Sequence, residues 1–473
     1  MSRLDALFLH APRFDGSRRE VMVLPLGVPA LANLLARDGR TVEILHLGIE
    51  PEVDPSFSIT RAIADLRPRL ALVPLHFNPQ THAAIDAARR VRQVIPNTPI
   101  VLGGLTASVF ARELASLPFV DAVIGGDAEE PLLRLARVIL DGEGSFADVP
   151  NLTWRDSKGV HQSETRWVLD HDTASVLEHG SLRLLRHREA YVARALYADF
   201  SEGADGSKGY PFAAYLNAGR GCTSDCACCG GSASAQLLTA ARTGVLLYPI
   251  DKLRKDVRDA VDDGARTLRT CFDPPEARAH IVRWFETIRA ESIELRAIYD
   301  FWLPAPRAFL EDLARTFTAG SVAVFSPDCG SDAVRRRVRG YAYSNEQLLR
   351  SVAEAEDVGL SVHCFFGAGL PTETRADVDE TARLIERIRR ETRAAVSVTP
   401  MFIDPGSAIF RDPERFGVRL LRRGLRDFYA ERGAAGGPGY ETEHFTETEI
   451  LGACSRLLAA AGLPNPRFAR RDA

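Results

Sequence analysis

Four of the eight cysteines of this 473-residue chain fall within eight positions, in the stretch GRGCTSDCACCGG, Gly219 to Gly231. Adjacent residues throw their side chains in different directions, so Cys222, Cys226, Cys228 and Cys229 do not make a regular four-thiolate zinc cage. Three of them fit one pattern, Cys222-xxx-Cys226-xx-Cys229. Thiolates are soft ligands, and three on a glycine-flanked loop suit a four-iron cluster that keeps one iron open for a substrate or cofactor. The competing reading is a zinc knuckle lacking its fourth ligand. No histidine or further cysteine lies nearby in sequence, and structural zinc sites are closed tetrahedra, which weakens it. Cys228 reads as a small packed hydrophobe rather than a further ligand.

Such a loop needs rigid elements to aim it. The first part of the chain alternates short apolar strands, at Asp5–His10, Thr41–Leu47, Leu70–Leu75, Pro99–Gly104 and Val120–Gly126, with amphipathic helices. Five strands with helical crossovers predict an α/β, doubly wound (Rossmann-like) parallel sheet over residues 1–140. Ligands on such sheets sit outside the carboxyl ends of the strands. Gly103, Gly104, Gly125 and Gly126 fall there, where bare backbone can approach a ligand. Residues 141–210 lack a clean period, contain a hairpin-like piece, and read as a linker or strap. A second series follows over 211–410, with strands at Ala213–Gly219, Arg266–Phe272, Ile293–Phe301, Ser321–Ser326, Leu360–Gly369 and Ala394–Phe402. Six βα units predict a partial barrel whose chemistry belongs at the strand C-termini, and the cysteine loop follows the first strand. Residues 411–473 read as helical, with arginines on a solvated face.

Composition removes several classes of function. With 45% hydrophobic and 26% charged residues the chain is globular, and 59 basic against 63 acidic residues leave a net charge of -4. That balance gives no general attraction to nucleic acid or anionic membrane. No apolar run reaches the length of a membrane span. The N-terminus reads as a buried strand rather than a secretory signal, so the expectation is a cytoplasmic protein with reduced cysteines. Cys271, Cys329, Cys364 and Cys454 are scattered singly and suggest no disulfide framework.

The cysteine pattern, its place after the first strand of a six-unit barrel and the flanking GRGC resemble the radical SAM superfamily. The resemblance implies that Cys222, Cys226 and Cys229 hold a 4Fe-4S cluster whose open iron S-adenosylmethionine chelates. Where the family carries a glycine-glycine-glutamate stretch after the second strand, this chain has CFDPPE. Asp273 is then the first candidate for the methionine ammonium group and Glu276 the reserve, with a helix cap as the plain alternative for Asp273. FSPDCGSDAVRRRVRG resembles the fourth-strand stretch near the nucleoside, with Asp328, Cys329 and Ser331 in those positions. FFGAGLPTET resembles the fifth-strand stretch, where Gly367 and Gly369 would let backbone approach adenine. The first domain is similar in motif order to the cobalamin-binding domain of one subfamily. Its glycine turns would border the corrin, with Thr106 and Ser108 as polar partners. The usual Asp-x-His-x-x-Gly signature is absent, and neither His10 nor His76 has its context, so the lower cobalt face is expected to lack a histidine.

The resemblance implies a cobalamin-dependent radical SAM enzyme. Such an enzyme cleaves S-adenosylmethionine reductively to a 5′-deoxyadenosyl radical, and C-methylation of an unactivated carbon is the leading outcome. Ring contraction, cyclisation and transfer of another group remain open. The expected partners are a small-molecule or peptide substrate and an electron donor such as flavodoxin or ferredoxin. A non-enzymatic cobalamin or redox sensor is the rival from another class, and it would not need the barrel-face motifs. A methylthiolating enzyme of tRNA would be expected to carry cysteines in the first domain, and residues 1–221 contain none.

Overall fold

A computed structural model of the protein describes residues 4–15, 18–20, 23–194, 213–430 and 437–464. The chain divides into two units, the first formed by Met1–Leu216, Gln236–Arg266 and Gly424–Ala435, and the second by Asn217–Ala235, Thr267–Arg423 and Gly436–Ala473.

The first unit is built on five parallel strands, β1 (Ala6–His10), β2 (Val42–His46), β3 (Leu70–Pro74), β4 (Ile100–Gly103) and β5 (Ala122–Ile124), in the order β2-β1-β3-β4-β5. All five residues of β1 are buried, as a strand covered on both faces requires. The order reverses between β1 and β3, which sets the ligand crevice beside their carboxyl ends. The hairpin foreseen from the sequence forms as β6 (Leu152–Asp156) and β7 (Gly159–Gln162), added antiparallel to β5.

Of the stretch 141–210, which the sequence presents as a linker or strap, residues 195–210 lie outside the described ones and the rest packs within the first unit. Leu184 O accepts from Ile44 N at 2.9 Å, and Arg186 N donates to Ile44 O at 3.0 Å. The strap thus covers the open edge of β2, a row of groups that would otherwise invite foreign pairing. The helix Ile250–Asp262, which the sequence assigns to the barrel, belongs to this first unit. Its Asp256 Oδ1 accepts from His179 N at 2.9 Å, so a buried carboxylate pins the strap.

The six-stranded sheet of the barrel runs in chain order: β8 (Ala213–Tyr215), β9 (Thr267–Thr270), β10 (Arg296–Phe301), β11 (Val322–Asp328), β12 (Ser361–Ala368) and β13 (Ala395–Pro400). The pairings from β9 onward are parallel. This is the expected open barrel. The C-terminal part is not purely helical: Val418–Leu420 pairs antiparallel with Tyr440–Thr442. Val418 and Leu420 are buried either side of an exposed Arg419, a period-two pattern inside an arginine-rich stretch. The helix Glu447–Ala460 opens on a Thr446 capping box and buries Ile450, Ala453, Cys454, Leu457 and Leu458, an apolar stripe at helical spacing. Residues 465–473 lie outside the described ones. No helix among the described residues is long and apolar enough to cross a membrane.

Candidate functional site

The three cysteines of the pattern share a feature that Cys228 lacks. Ser224 N donates to Cys222 Sγ at 3.3 Å, Gly231 N to Cys229 Sγ at 3.3 Å, and Gly340 N to Cys226 Sγ at 3.5 Å. Among the described residues no side-chain hydrogen bond is made by Cys228. Backbone N–H groups aimed at sulfur stabilise thiolate, the form that binds metal. Burial lifts the Cys222 thiol and pushes Cys229 to about 12, with Cys226 adding to both shifts. A metal centre would take these thiols as thiolates and release their protons. No group of three or more His, Cys, Asp or Glu among the described residues, these cysteines included, is arranged to hold a metal ion. Three hydrogen-bonded thiols on one loop are one ligand short of a closed structural zinc site.

The loop is held from two further segments of its unit. Gly230 N donates to Asp404 Oδ2 at 3.1 Å, Asp404 N to Cys228 O at 3.1 Å, and Ile409 N to Ala227 O at 3.0 Å. On the other side Ala227 N donates to Val338 O at 2.8 Å. Sequence reading missed Asp404, Arg339 and Gly340, which stand more than a hundred residues from the loop; only their arrangement in space reveals them.

The two carboxylates in CFDPPE stand in different surroundings. Asp273 is fully buried, and its oxygens accept four donors: Arg278 Nε and Nη2 at 3.1 and 2.9 Å, Tyr299 OH at 2.9 Å and Trp302 N at 3.1 Å. A carboxylate has about four lone-pair sites, so none is left for an ammonium group. Nor does it cap the following helical turn, whose N-cap is Pro274. Glu276 is exposed and accepts from Thr223 Oγ1, inside the cysteine loop, at 2.8 Å. Asp328 is bound by the guanidinium of Arg339, with Nη2 at 2.6 Å from Oδ1. Ser331 caps the helix Asp332–Val338, and Cys329 is buried. Asp328 accepts one donor on each oxygen and keeps a partly exposed carboxylate, whereas the Ser331 hydroxyl serves as the helix cap.

The glycines divide by what a side chain would meet. At Gly369 (φ +85) a Cβ would lie 2.7 Å from Ile450 and 2.8 Å from Tyr440 OH, so protein packing demands this glycine. At Gly367 the nearest atom would be 3.7 Å away. The first unit repeats the contrast. A Cβ at Gly104 (φ +115) would sit 2.7 Å from Leu75 O, and one at Gly126 (φ +71) 2.8 Å from Ala240 Cα. Gly103 and Gly125 have ordinary room, at 3.5 and 3.8 Å. Gly103, Gly125 and Gly367 are therefore the glycines whose bare backbone the protein itself does not require.

The hydroxyls expected beside the first-unit turns are spent internally. Thr106 Oγ1 donates to His76 O at 3.0 Å; Ser108 Oγ donates to Gly104 O at 2.8 Å and accepts from Gly126 N at 2.9 Å. The most exposed side chains at these turns are apolar: Phe77 after β3 and Leu105 after β4 are about two-fifths exposed, at 38% and 40%. His10 is buried against the His46 ring at 4.7 Å, and His76 is partly exposed beside Phe77.

Comparison with known proteins follows this geometry. A model of the B12 binding domain matches residues 14–136, and a model of the radical SAM superfamily matches residues 216–385. No curated protein sequence matches the chain. The radical S-adenosylmethionine methyltransferase TsrM from Kitasatospora setae, solved with tryptophan substrate and a SAM analogue, is 17% identical with a TM-score of 0.70. That match covers 97% of this chain and 89% of TsrM. The cobalamin-dependent S-adenosylmethionine radical enzyme OxsB, solved with aqua-cobalamin and S-adenosylmethionine, is 13% identical with a TM-score of 0.67, over 98% of this chain and 66% of that one. At such identities the likeness is one of fold.

Proposed function

Given a chain that belongs to the radical SAM superfamily and carries a B12-binding domain ahead of its radical SAM domain, we propose a cobalamin-dependent methyltransferase acting on an unactivated carbon. The observation that carries the reading is the set of three thiols, each given one backbone N–H, beside a fourth given none. Cys222, Cys226 and Cys229 would hold the 4Fe-4S cluster. When bound, the cluster supplies an electron to S-adenosylmethionine, and cobalamin carries the methyl group. The protein's own residues then bind, orient and exclude water. Glu276 accepts the methionine ammonium group beside the loop, and Gly367 lets the fifth strand approach adenine. In the first unit Gly103 and Gly125 leave bare backbone near the corrin, while Phe77 and Leu105 offer it apolar contact. The fold shared with TsrM favours methyl transfer, to a small-molecule or peptide substrate, with electrons from a flavodoxin- or ferredoxin-like donor.

Anaerobic reconstitution tests the assignment. About four irons and four sulfides per chain are expected, as one four-iron cluster requires. With hydroxocobalamin and S-adenosylmethionine carrying a labelled methyl group, label should enter the cobalamin fraction. Alanine at Cys222, Cys226 or Cys229 should abolish the cluster, whereas Cys228→Ala should keep it. Stoichiometric zinc without sulfide in well-folded anaerobic protein would overturn the reading.

A further inference from the structure

The segment that follows β11 meets the cysteine loop more closely than support alone requires. We propose that Arg339 and Asp328 form an opposed charge pair that sets the reduction potential of the cluster through Cys226, with Gly340 as the contact point. The proposal rests on the functional reading above.

The contact is tight. Gly340 N–H reaches Cys226 Sγ, and Val338 O takes Ala227 N–H, so two neighbouring loop residues are held by one short segment. A Cβ at Gly340 would fall 2.2 Å from Asp225 N and 3.0 Å from Ser224 C. Glycine stands here for space, since its φ is not positive.

Arg339 fixes this segment by its whole fork. Nε and Nη2 bind Asp328, Nη2 also donates to Ser326 O at 2.8 Å, and Nη1 donates to Tyr341 OH at 2.9 Å. Such a planar fork is pre-organised in a way that a lysine is not. Asp328 answers it from a left-handed backbone (φ +61), just past a register shift between β11 and β12. A non-glycine residue in that region is strained, and the ion pair is what over-determines it. The fully buried Arg335 donates to Pro327 O at 3.1 Å and Tyr343 O at 2.9 Å, which ties its helix to the strand end and to the segment beyond it.

The charges act on the loop with opposite signs. Arg339 directly precedes Gly340, whose N–H reaches Cys226 Sγ, and Asp328 is held on that same guanidinium, so a cation and an anion stand together at the loop's contact point. Net charge and hydrogen bonds to sulfur are among the terms that set iron–sulfur potentials. Reduction adds negative charge to a cluster, so a nearby cation raises the potential and an uncompensated anion lowers it.

Potentiometric titration of the reconstituted protein, followed by electron paramagnetic resonance, tests this with iron and sulfide content measured on each variant. Arg339→Gln leaves Asp328 uncompensated and should shift the midpoint downward. Asp328→Asn leaves Arg339 uncompensated and should shift it upward. Arg339→Lys keeps the charge and should move the midpoint less than Arg339→Gln; it replaces that variant in the test if Arg339→Gln takes up no iron, and must then lie at or below wild type. Gly340→Ala should lose cluster occupancy through the Asp225 clash. Unchanged midpoints, or shifts of the same sign in the arginine and aspartate variants, overturn the proposal. Wild-type protein that takes up no iron and sulfide overturns the functional reading instead.

Discussion

The ligand edge of the first unit and that of the second are finished with different chemistry. Along the first, the polar groups are turned inward: Thr106 on His76 O, Ser108 on Gly104 and Gly126, and Asp127 accepting from Leu169 N at 2.9 Å. Phe77 and Leu105 are left facing out. Along the second, three N–H groups face three sulfurs and a carboxylate stands exposed at Glu276. A broad ring system gains most from apolar area and close backbone, at about 25 cal/mol per Å² buried. A compact ionic ligand gains most from charge-assisted hydrogen bonds. The two edges match those two demands.

If the second edge works by charge, its two nearby carboxylates must behave in opposite ways. Asp273→Ala removes the fully buried carboxylate of the pair, leaving the part-buried Arg278 cation with only Leu303 O to accept from it and Tyr299 OH and Trp302 N unanswered. Breaking a buried pair from one side costs about 3–5 kcal/mol, so a large fall in melting temperature is expected. Glu276→Gln should leave the melting temperature near wild type. It should weaken S-adenosylmethionine binding about 10- to 100-fold, the loss of one charged hydrogen bond. Calorimetry and binding on both variants decide it. A stable Asp273→Ala protein with weakened binding would return the ammonium contact to Asp273.

The first edge can be broken at its glycines, with a smaller effect. Gly104→Ala forces a side chain onto Leu75 O in a backbone region nearly reserved for glycine, at about 2–3 kcal/mol. Gly103→Ala meets only Ile124 O at 3.5 Å and should fold normally. If cobalamin lies against that backbone, titration of Gly103→Ala with hydroxocobalamin should show weakened binding at unchanged stability. Unaltered affinity would separate the corrin from this turn.

The strands and the cysteine pattern were legible because both are local. Apolar runs such as ALFLH announce a buried strand, and the three ligand candidates sit within eight residues. Roles that depend on distant partners were not legible. Asp273 looks like a free carboxylate until Arg278, Tyr299 and Trp302 are placed around it. Gly104 and Gly103 are indistinguishable in sequence, and only the approach of Leu75 tells them apart. The stretch 141–210 was read as a linker or strap, but what it pairs with was not legible, because β2 lies far upstream in the chain. Gly340 was not singled out, since its claims, an N–H on Cys226 Sγ and closeness to Asp225, exist only in space.

Glu373 gives the finest test of how the second edge is held. It is fully buried after β12, where Oε2 accepts from Gly369 N at 2.7 Å and Leu370 N at 3.3 Å, while Oε1 has no partner among the described residues. Burial lifts its carboxyl to about 8, against the lowering by those two N–H groups. Tyr440 and Cys454 face it and titrate higher, the cysteine at about 12, so neither changes charge near neutrality. Asp377, which also acts on it, is held below its ordinary value and stays ionised. In the unfolded chain a glutamate loses its proton near 4.3. Between these values the native state keeps a proton that the unfolded state has lost. The stabilisation is whole below the unfolded value and drains away as pH rises through about 8. From pH 6 to pH 8 this amounts to about 2 kcal/mol. Chemical denaturation at both pH values should show that loss in wild type and a flatter profile in Glu373→Gln. The glutamine can still accept the Gly369 and Leu370 N–H bonds, so the turn keeps its shape. Parallel profiles for the two proteins would mean that Glu373 is ionised in the native state, with its charge carried by the two backbone N–H groups alone.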